Sequence, residues 1–313
     1  MEAVAVGSAF VDMFIYAKAK KIKNGGRTYL AYPAGGKMLA EKIEFHAGGG
    51  GANVAAGLSK MGIKTSFLGI LGDDYGKNII WHSLLDHKVK FAGAVKHGAC
   101  GYSIILDGDG IDRSIIGSRG MNDSLSVRNS KPALKARWLC FSSMLGESLK
   151  TQKKLAEAAK KKGIKIAYNP SLYMIGKGIL EIVKNCHVLS LNKEEAEALS
   201  RIKNDRERII KKIHGMGPEI VCMTDGAKPS YCYDGKLYKI QPKHTRTTER
   251  TGAGDAFFSG FVASLIRNKS IEQALKIGTA NAQSTIRKIG AQNGLLTMRQ
   301  AIRKGKSYRV TVL

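Results

Sequence analysis

Short β-branched runs alternate with amphipathic, helix-length segments along most of this chain, and that alternation limits the fold more than any other feature. Strand-like runs fall at 3–6, 65–69, 138–142, 164–168, 187–190 and 219–223, with helical patterns between them at 52–61, 77–85, 149–162, 193–199 and 206–213. Brief, wholly apolar runs joined by helical crossovers suit strands covered on both faces, which is the condition of a parallel sheet. The expectation is an α/β fold: a doubly wound, mainly parallel sheet flanked by helices. Two further helical patterns, 255–266 and 271–286, follow before Gly290. Two stretches break the rhythm, about 14–45 and 91–116, where glycines and polar–apolar alternation predict antiparallel hairpins. They are expected to form a small β-sheet beside the main body, inserted in one domain spanning 1–313. No internal repeat or long linker divides the chain.

Charge bounds the partners. Lys and Arg number 51 against 25 acids, a formal +26 that concentrates polyanions near the surface. The basic residues are spread over 18–23, 153–165 and 201–212, without zinc-finger spacing or an aromatic–basic RNA motif. A solvated basic surface follows, and nucleic-acid binding is not the expected primary role. The seven histidines show no paired ligand spacing, which argues against a histidine-metal hydrolase. Five cysteines form no Cys-x-x-Cys pair and read as buried thiols of a reducing cytoplasm. No stretch approaches the roughly 20 apolar residues of a membrane span, and the start lacks a basic region before its apolar run.

Two helix starts carry the chemistry. His46-Ala47-Gly48-Gly49-Gly50-Gly51-Ala52-Asn53 precedes a helical pattern through Val54, Leu58 and Met61. Glycines there let backbone approach a ligand, and Asn53 offers both a donor and an acceptor to hydroxyls; a flexible turn before a helix is the plain alternative. No Lys-Ser or Lys-Thr follows at the offset of the phosphate loop of classical NTPases. The second start, Thr251-Gly252-Ala253-Gly254-Asp255, is more specific. Small residues in a first helical turn expose unpaired N–H groups, and with the helix dipole they make an anion site. An acid just inside that turn can take the proton of an attacking hydroxyl; its plain alternative is an Asp that satisfies the helix end.

Together these segments resemble the paired signatures of the ribokinase family of carbohydrate and nucleoside kinases, also called the PfkB family. The first runs from Gly48 to Gly62 and continues in Gly69-Ile70-Leu71-Gly72-Asp73-Asp74-Tyr75-Gly76; the second is Thr251 to Asp255. Asn169-Pro170, Asn192-x-x-Glu195, Thr224-Asp225-Gly226 and Arg287-Lys288-Ile289-Gly290-Ala291-Gln292 extend the match in order over nearly the whole chain. The resemblance implies a ribokinase-like fold with a β-sheet lid, ATP and Mg2+ as cofactors, and a small sugar or nucleoside as acceptor. It implies Asp255 as base and Gly252, Ala253 and Gly254 as the anion hole. Asp12, on the loop after the first strand, matches a substrate-hydroxyl ligand, and Gly48, Gly49 and Asn53 match sugar-binding positions. Asn192 matches a phosphate contact and Glu195 the residue that organises magnesium through water, although the same spacing also describes a helix cap. Thr224 and Gly226 fall where nucleotide is held, and Asn281 on a late helix resembles the adenine-side wall.

The chain also departs from the family's pattern. Glu249 stands where members often have an Asp contributing to a monovalent-cation site, so a potassium site would use a longer carboxylate. Pro229 and Ser230 occupy the neighbourhood of a usual glycine. Gly50 replaces a lysine, and the acid expected after the strand ending near Ser142 falls at Gly146 or Glu147, so ribose specificity is unsupported. A sugar-phosphate acceptor would need cations such as Arg119 or Lys37. A rival of another class is a catalytically silent nucleotide- or nucleic-acid-binding protein that keeps the fold. A lid with an exposed apolar face would favour a homodimer.

Overall fold

The computed structural model describes residues 1–108 and 112–313. Among these, a ten-stranded sheet forms the centre. Strand β1 (Ala3–Val6) lies between β6 (Thr65–Leu68) and β12 (Trp138–Ser142), with the short β8 (Lys90–Phe91) beyond β6. Beyond β12 come β13 (Lys165–Asn169), β14 (Val188–Asn192) and β15 (Ile220–Asp225), all parallel. Antiparallel β16 (Lys228–Tyr233), β17 (Leu237–Ile240) and β18 (Val310–Val312) complete that side.

Alternate side chains of these strands build two cores, because successive residues point to opposite faces. Ala3, Ala5, Phe67, Cys140 and Val188 pack under α1 (Gly50–Lys60), α2 (Gly76–Asp86), α8 (Ala253–Ile266), α9 (Ile271–Thr285) and α10 (Met298–Gly305). Val4, Val6, Phe141, Tyr168 and Leu191 pack on the other face against α4 (Gly146–Lys161), α5 (Leu180–Val183), α6 (Lys193–Ser200) and α7 (Arg206–His214). The short α3 (Val127–Ser130) rests on α4. Small residues bring α1 against α8: a Cβ on Gly57 would lie 2.6 Å from the Ser259 Cβ. That close approach sets the spacing between the two glycine-led helix starts.

A second sheet has the order β11–β10–β2–β5, from β2 (Phe10–Tyr16), β5 (Lys42–Gly48), β10 (Gly101–Gly108) and β11 (Asp112–Ser118). Its β2–β5 and β10–β11 pairs are antiparallel, but β2 and β10 run parallel, so the two irregular stretches join as neighbours, not as one hairpin series. Residues 109–111, within the stretch expected at 91–116, lie outside the described residues. The hairpin β3 (Lys20–Asn24) and β4 (Arg27–Ala31) stands apart, turning on Gly25 and Gly26, both with positive φ. Strand β7 (Ile70–Gly72) pairs with β9 (Ala94–Lys96), so part of 91–116 belongs to the main body. All five cysteines are buried and free, and no helix among the described residues is long and apolar enough to cross a membrane.

Candidate active site

The chain leaves β1 toward β6 on one side and returns to β12 on the other, so strand order reverses at β1. In open α/β sheets a crevice forms at such a reversal, beyond the carboxyl ends of the strands. Gly7, Ser142, Asn169, Asn192 and Thr224 stand at or near those ends, and the glycine-led starts of α1 and α8 meet above them.

Glycine before α1 is demanded by packing. A Cβ on Gly48 would fall on the Asp12 carboxylate; one on Gly49, whose φ is +89°, would lie 2.7 Å from the Ser8 carbonyl oxygen. The segment is therefore a packed turn and not a flexible one. Asp12 itself lies within strand β2, correcting its placement on a loop: Phe10, Val11, Met13 and Phe14 form an extended apolar run around it. It is 4% exposed and faces His46 of β5 and Ser103 of β10 in register. Burial pushes its carboxyl up to about 6, against the Ser103 hydrogen bond and the fields of His46 and Arg113.

Asn53, buried in the first turn of α1, donates through Nδ2 to Asp255 Oδ2 at 2.9 Å. Its Oδ1 accepts from Gln292 Nε2 at 3.0 Å, and Gln292 Oε1 accepts from Ser83 Oγ at 2.6 Å. This row fixes which end of the Asn53 amide faces the acid. Asp255 is the third residue of α8, half-buried, and burial raises its carboxyl to about 6; the Asn53 hydrogen bond opposes the rise and the Asp12 charge adds to it. Gly252 caps the helix in the left-handed region (φ 78°), where a Cβ would lie 2.9 Å from the Ala291 Cα. Gly254 faces open space, with nothing within 4 Å of a Cβ, whereas the Ala253 N–H is turned back to the Arg250 carbonyl at 3.3 Å.

Asn192 and Glu195 form a capping box on α6: Asn192 Oδ1 accepts from the Glu195 N–H at 2.9 Å and Glu195 Oε2 from the Asn192 N–H at 2.7 Å. Burial raises the Glu195 carboxyl to about 7, with the Asp255 charge contributing, so both acids share one electrostatic neighbourhood. Thr224 lies beside Asn192 in register, and Gly226 makes the positive-φ turn into β16. Arg206 holds Asp225 of that turn at 2.8 Å.

Several expected residues are elsewhere. Asn281 is fully buried: its Nδ2 donates to the Ala256 carbonyl at 2.7 Å and its Oδ1 accepts from the Leu296 N–H at 2.9 Å. Both ends tie α9 to its neighbours, and the side chain has no surface open to the crevice. Ala280, Gln283 and Ser284 of α9, with Arg287 just beyond its end, line a cleft instead. Glu147 is exposed on α4 and brings no acid to the site. In its place stands Ser142, 2% exposed and with no protein partner for its hydroxyl. A Cβ on Gly50 would sit 3.2 Å from Ser142 Oγ and 3.6 Å from Asp255 Oδ1, so hydroxyl and carboxylate border one small space. Arg119 is held by Asp123 at 2.8 and 2.9 Å and lies over the Phe10 ring, while Lys37 is on an exposed loop.

Glu249 is 8% exposed, and its Oε1 accepts from the Thr251 N–H and Oγ1, each at 2.8 Å. Arg113, from β11, forms an ion pair with the same oxygen. Gln292, Ser83 and Arg113 are the participants that sequence reasoning missed; Gln292 stands in a matched motif, but no pattern linked it to Asn53. Among the described residues no cluster of three or more His, Cys, Asp or Glu could hold a metal directly.

Residues 2–298 match the family model described as pfkB family carbohydrate kinase. A ribokinase of Haemophilus influenzae is 27% identical over 278 residues, covering 86% of this chain and 90% of that protein. The Arabidopsis thaliana ribokinase solved with ribose and ATP superposes with a TM-score of 0.81 at 23% identity, covering 97% of this chain and 98% of that one. A Methanocaldococcus jannaschii nucleoside kinase, an archaeal member of the ribokinase family, reaches 0.79 at 18% identity, covering 98% of each chain.

Proposed function

The chain belongs to the pfkB family of carbohydrate kinases, and from that premise we propose that it transfers the γ-phosphoryl group of ATP to a primary hydroxyl of a small sugar or nucleoside. The observation that carries this reading is the half-buried Asp255 at the glycine-led start of α8, oriented by Asn53 and facing the buried Asp12. A carboxyl raised to about 6 is ionised at neutral pH yet basic enough to take a proton from an attacking alcohol. Asp12 and Asn53 orient the acceptor, and Ser142 offers its unused hydroxyl to the same space. First-turn N–H groups around Gly252 to Asp255 stabilise the transferring phosphoryl. Because the Ala253 N–H is turned toward Arg250, Gly254, with open space before it, carries the larger share.

ATP supplies the phosphoryl group, and Mg2+ neutralises its charge. Glu195 fits a magnesium held through phosphate and water: a carboxyl raised partly by Asp255 gains from a divalent cation nearby, and Mg2+ rarely takes an all-protein cage. Asn192, Thr224 and Gly226 line the adjacent strand ends where nucleotide would lie. The second sheet acts as a lid that excludes water. Its outer face exposes Ile43, Phe45 and Ile116 next to Met13, Ile15 and Ile104, and we assign that face to contact with a second copy. Arg119 is committed to Asp123, which favours an unphosphorylated acceptor over a sugar phosphate.

The test is acceptor-dependent ADP release across sugars, nucleosides and sugar phosphates, with light scattering for the dimer. Release with an unphosphorylated sugar or nucleoside supports the reading. ADP release that no acceptor stimulates would remove it.

A further inference from the structure

Strand β11 reaches across the crevice to the loop that leads into α8, with Arg113 and Glu249 in contact over 136 residues of sequence. The resemblance implies a monovalent cation at Glu249. The residues present do not fit one. Glu249 Oε1 already takes three donors, Arg113 Nη1, the Thr251 N–H and Thr251 Oγ1, and a second cation would sit beside a guanidinium that stays charged at any relevant pH. The backbone of Thr248 and Glu249 is pinned on its far side, where both N–H groups donate to the Ile286 carbonyl, at 2.8 and 3.1 Å. The loop is thus held between the end of α9 and a side chain from the second sheet, and three residues after Glu249 it becomes the Gly252 cap of α8.

Resting on the kinase reading, we infer that Arg113 replaces the monovalent cation and is a positioning residue for the phosphoryl-binding turn: it joins the lid to Glu249, so transfer needs no potassium. The guanidinium is suited to this because it is always charged and holds the carboxylate through a directional N–H bond, here from Nη1 to Oε1, where an exchangeable ion would not tie the loop to the lid. Its charge also reaches Asp12, so the same side chain bears on the acceptor side of the crevice. Glu249 is nearly buried, and losing its partner leaves an uncompensated charge that a small cation can answer.

The experiment compares the intact enzyme with Arg113→Ala and Arg113→Lys in a buffer whose only cation is tetramethylammonium, then with potassium or guanidinium added. The intact enzyme is expected to change less than about twofold on adding potassium, while Arg113→Ala loses about tenfold or more in kcat with little change in acceptor KM and recovers with potassium or guanidinium. Arg113→Lys keeps the charge on a differently shaped head and falls between, and serves if the alanine variant folds poorly. Hydrogen exchange over 249–254 supplies a readout that needs no turnover: faster in Arg113→Ala, slowed again by either cation. Strong potassium activation of the intact enzyme, or unchanged exchange in Arg113→Ala, overturns the assignment. If no acceptor is phosphorylated at all, the kinase reading fails separately, and the exchange data still decide whether Arg113 orders the loop.

Discussion

The starts of α1 and α8 are both led by glycines, yet they use them differently. Around α1 every glycine is required by protein: Gly48 by the Asp12 carboxylate, Gly49 by the Ser8 carbonyl, and Gly51 by Gly7, whose carbonyl carbon would be 2.6 Å from an added Cβ. At α8 the cap Gly252 is likewise pressed on Ala291, but Gly254 borders open space. One start is a joint that locks helix, strand and second sheet together. The other leaves a gap beside an acid, which is where a ligand can enter. A run of glycines therefore says little until it is known what each missing side chain would meet.

The sharpest break of that comparison is at the acid. Replacing Asp255 with Asn keeps shape and removes the proton acceptor, so kcat should fall by about 10²–10⁴-fold, with ATP binding by calorimetry little changed. Near-normal turnover would reduce Asp255 to a helix-end acid. The glycines come next. Gly51→Ala forces a methyl into the Gly7 backbone and should cost about 1–3 kcal/mol, seen as a lower Tm. Gly254→Ala should leave Tm unchanged or slightly raised, since a helical alanine is favoured by up to about 1 kcal/mol, but should weaken ATP use by placing a methyl in the phosphate's space. If Gly254→Ala harmed stability and spared activity, the contrast between the two starts would be lost.

A proton titration tests the same pair. Asp12 and Asp255 are both raised from an ordinary 3.8 to about 6, mainly by burial, so both are ionised at neutral pH and take up protons as pH falls through 6. Activity should drop along a limb that steepens toward two protons. Stability should move the other way. Between about pH 4 and 6 the folded state binds more protons than the unfolded one, so these groups make the protein more stable as pH falls through that window and less so as it rises. Tm and kcat/KM measured from pH 4.5 to 7.5 should therefore diverge. A fall of both together across that window would mean that other groups dominate.

What was legible followed from local chemistry. The runs that became β1, β12 and their parallel neighbours are buried on both faces, so apolar content alone marked them, as it did α1, α2 and α8 to within a few residues. The antiparallel extension through β16, β17 and β18 was not, because these half-exposed strands at one side of the sheet mix polar and apolar residues as loops do. Asp12 was read as a loop acid since a buried carboxylate inside a strand is unfavourable on local grounds; its partners Ser103 and His46 come from other strands. The bracing role of Asn281 was missed for the converse reason, as its carbonyl and N–H partners lie 25 and 15 residues away on elements it braces. The Arg113–Glu249 pair spans the crevice and has no local signature at all.

The smallest effect concerns how α1 serves α8. Asn53 can donate to Asp255 only if its oxygen is turned away, and the Gln292 amide holds that oxygen while Ser83 holds the far end of Gln292. Gln292→Leu removes the donor but keeps bulk and leaves the Asn53 oxygen buried without a partner, a loss of about 1–3 kcal/mol for a group of this kind. Freed of Gln292, the Asn53 amide no longer has its donor end locked toward Asp255, and each conformer turned away costs the carboxylate that donor, so the acid should titrate higher and the acidic limb of kcat should shift toward neutral pH. Ser83→Ala, one step further out, should move the limb in the same direction by less. A lower Tm with an unmoved limb would make the row a structural brace; a displaced limb makes it the means by which the closed start of one helix sets the charge at the open start of the other.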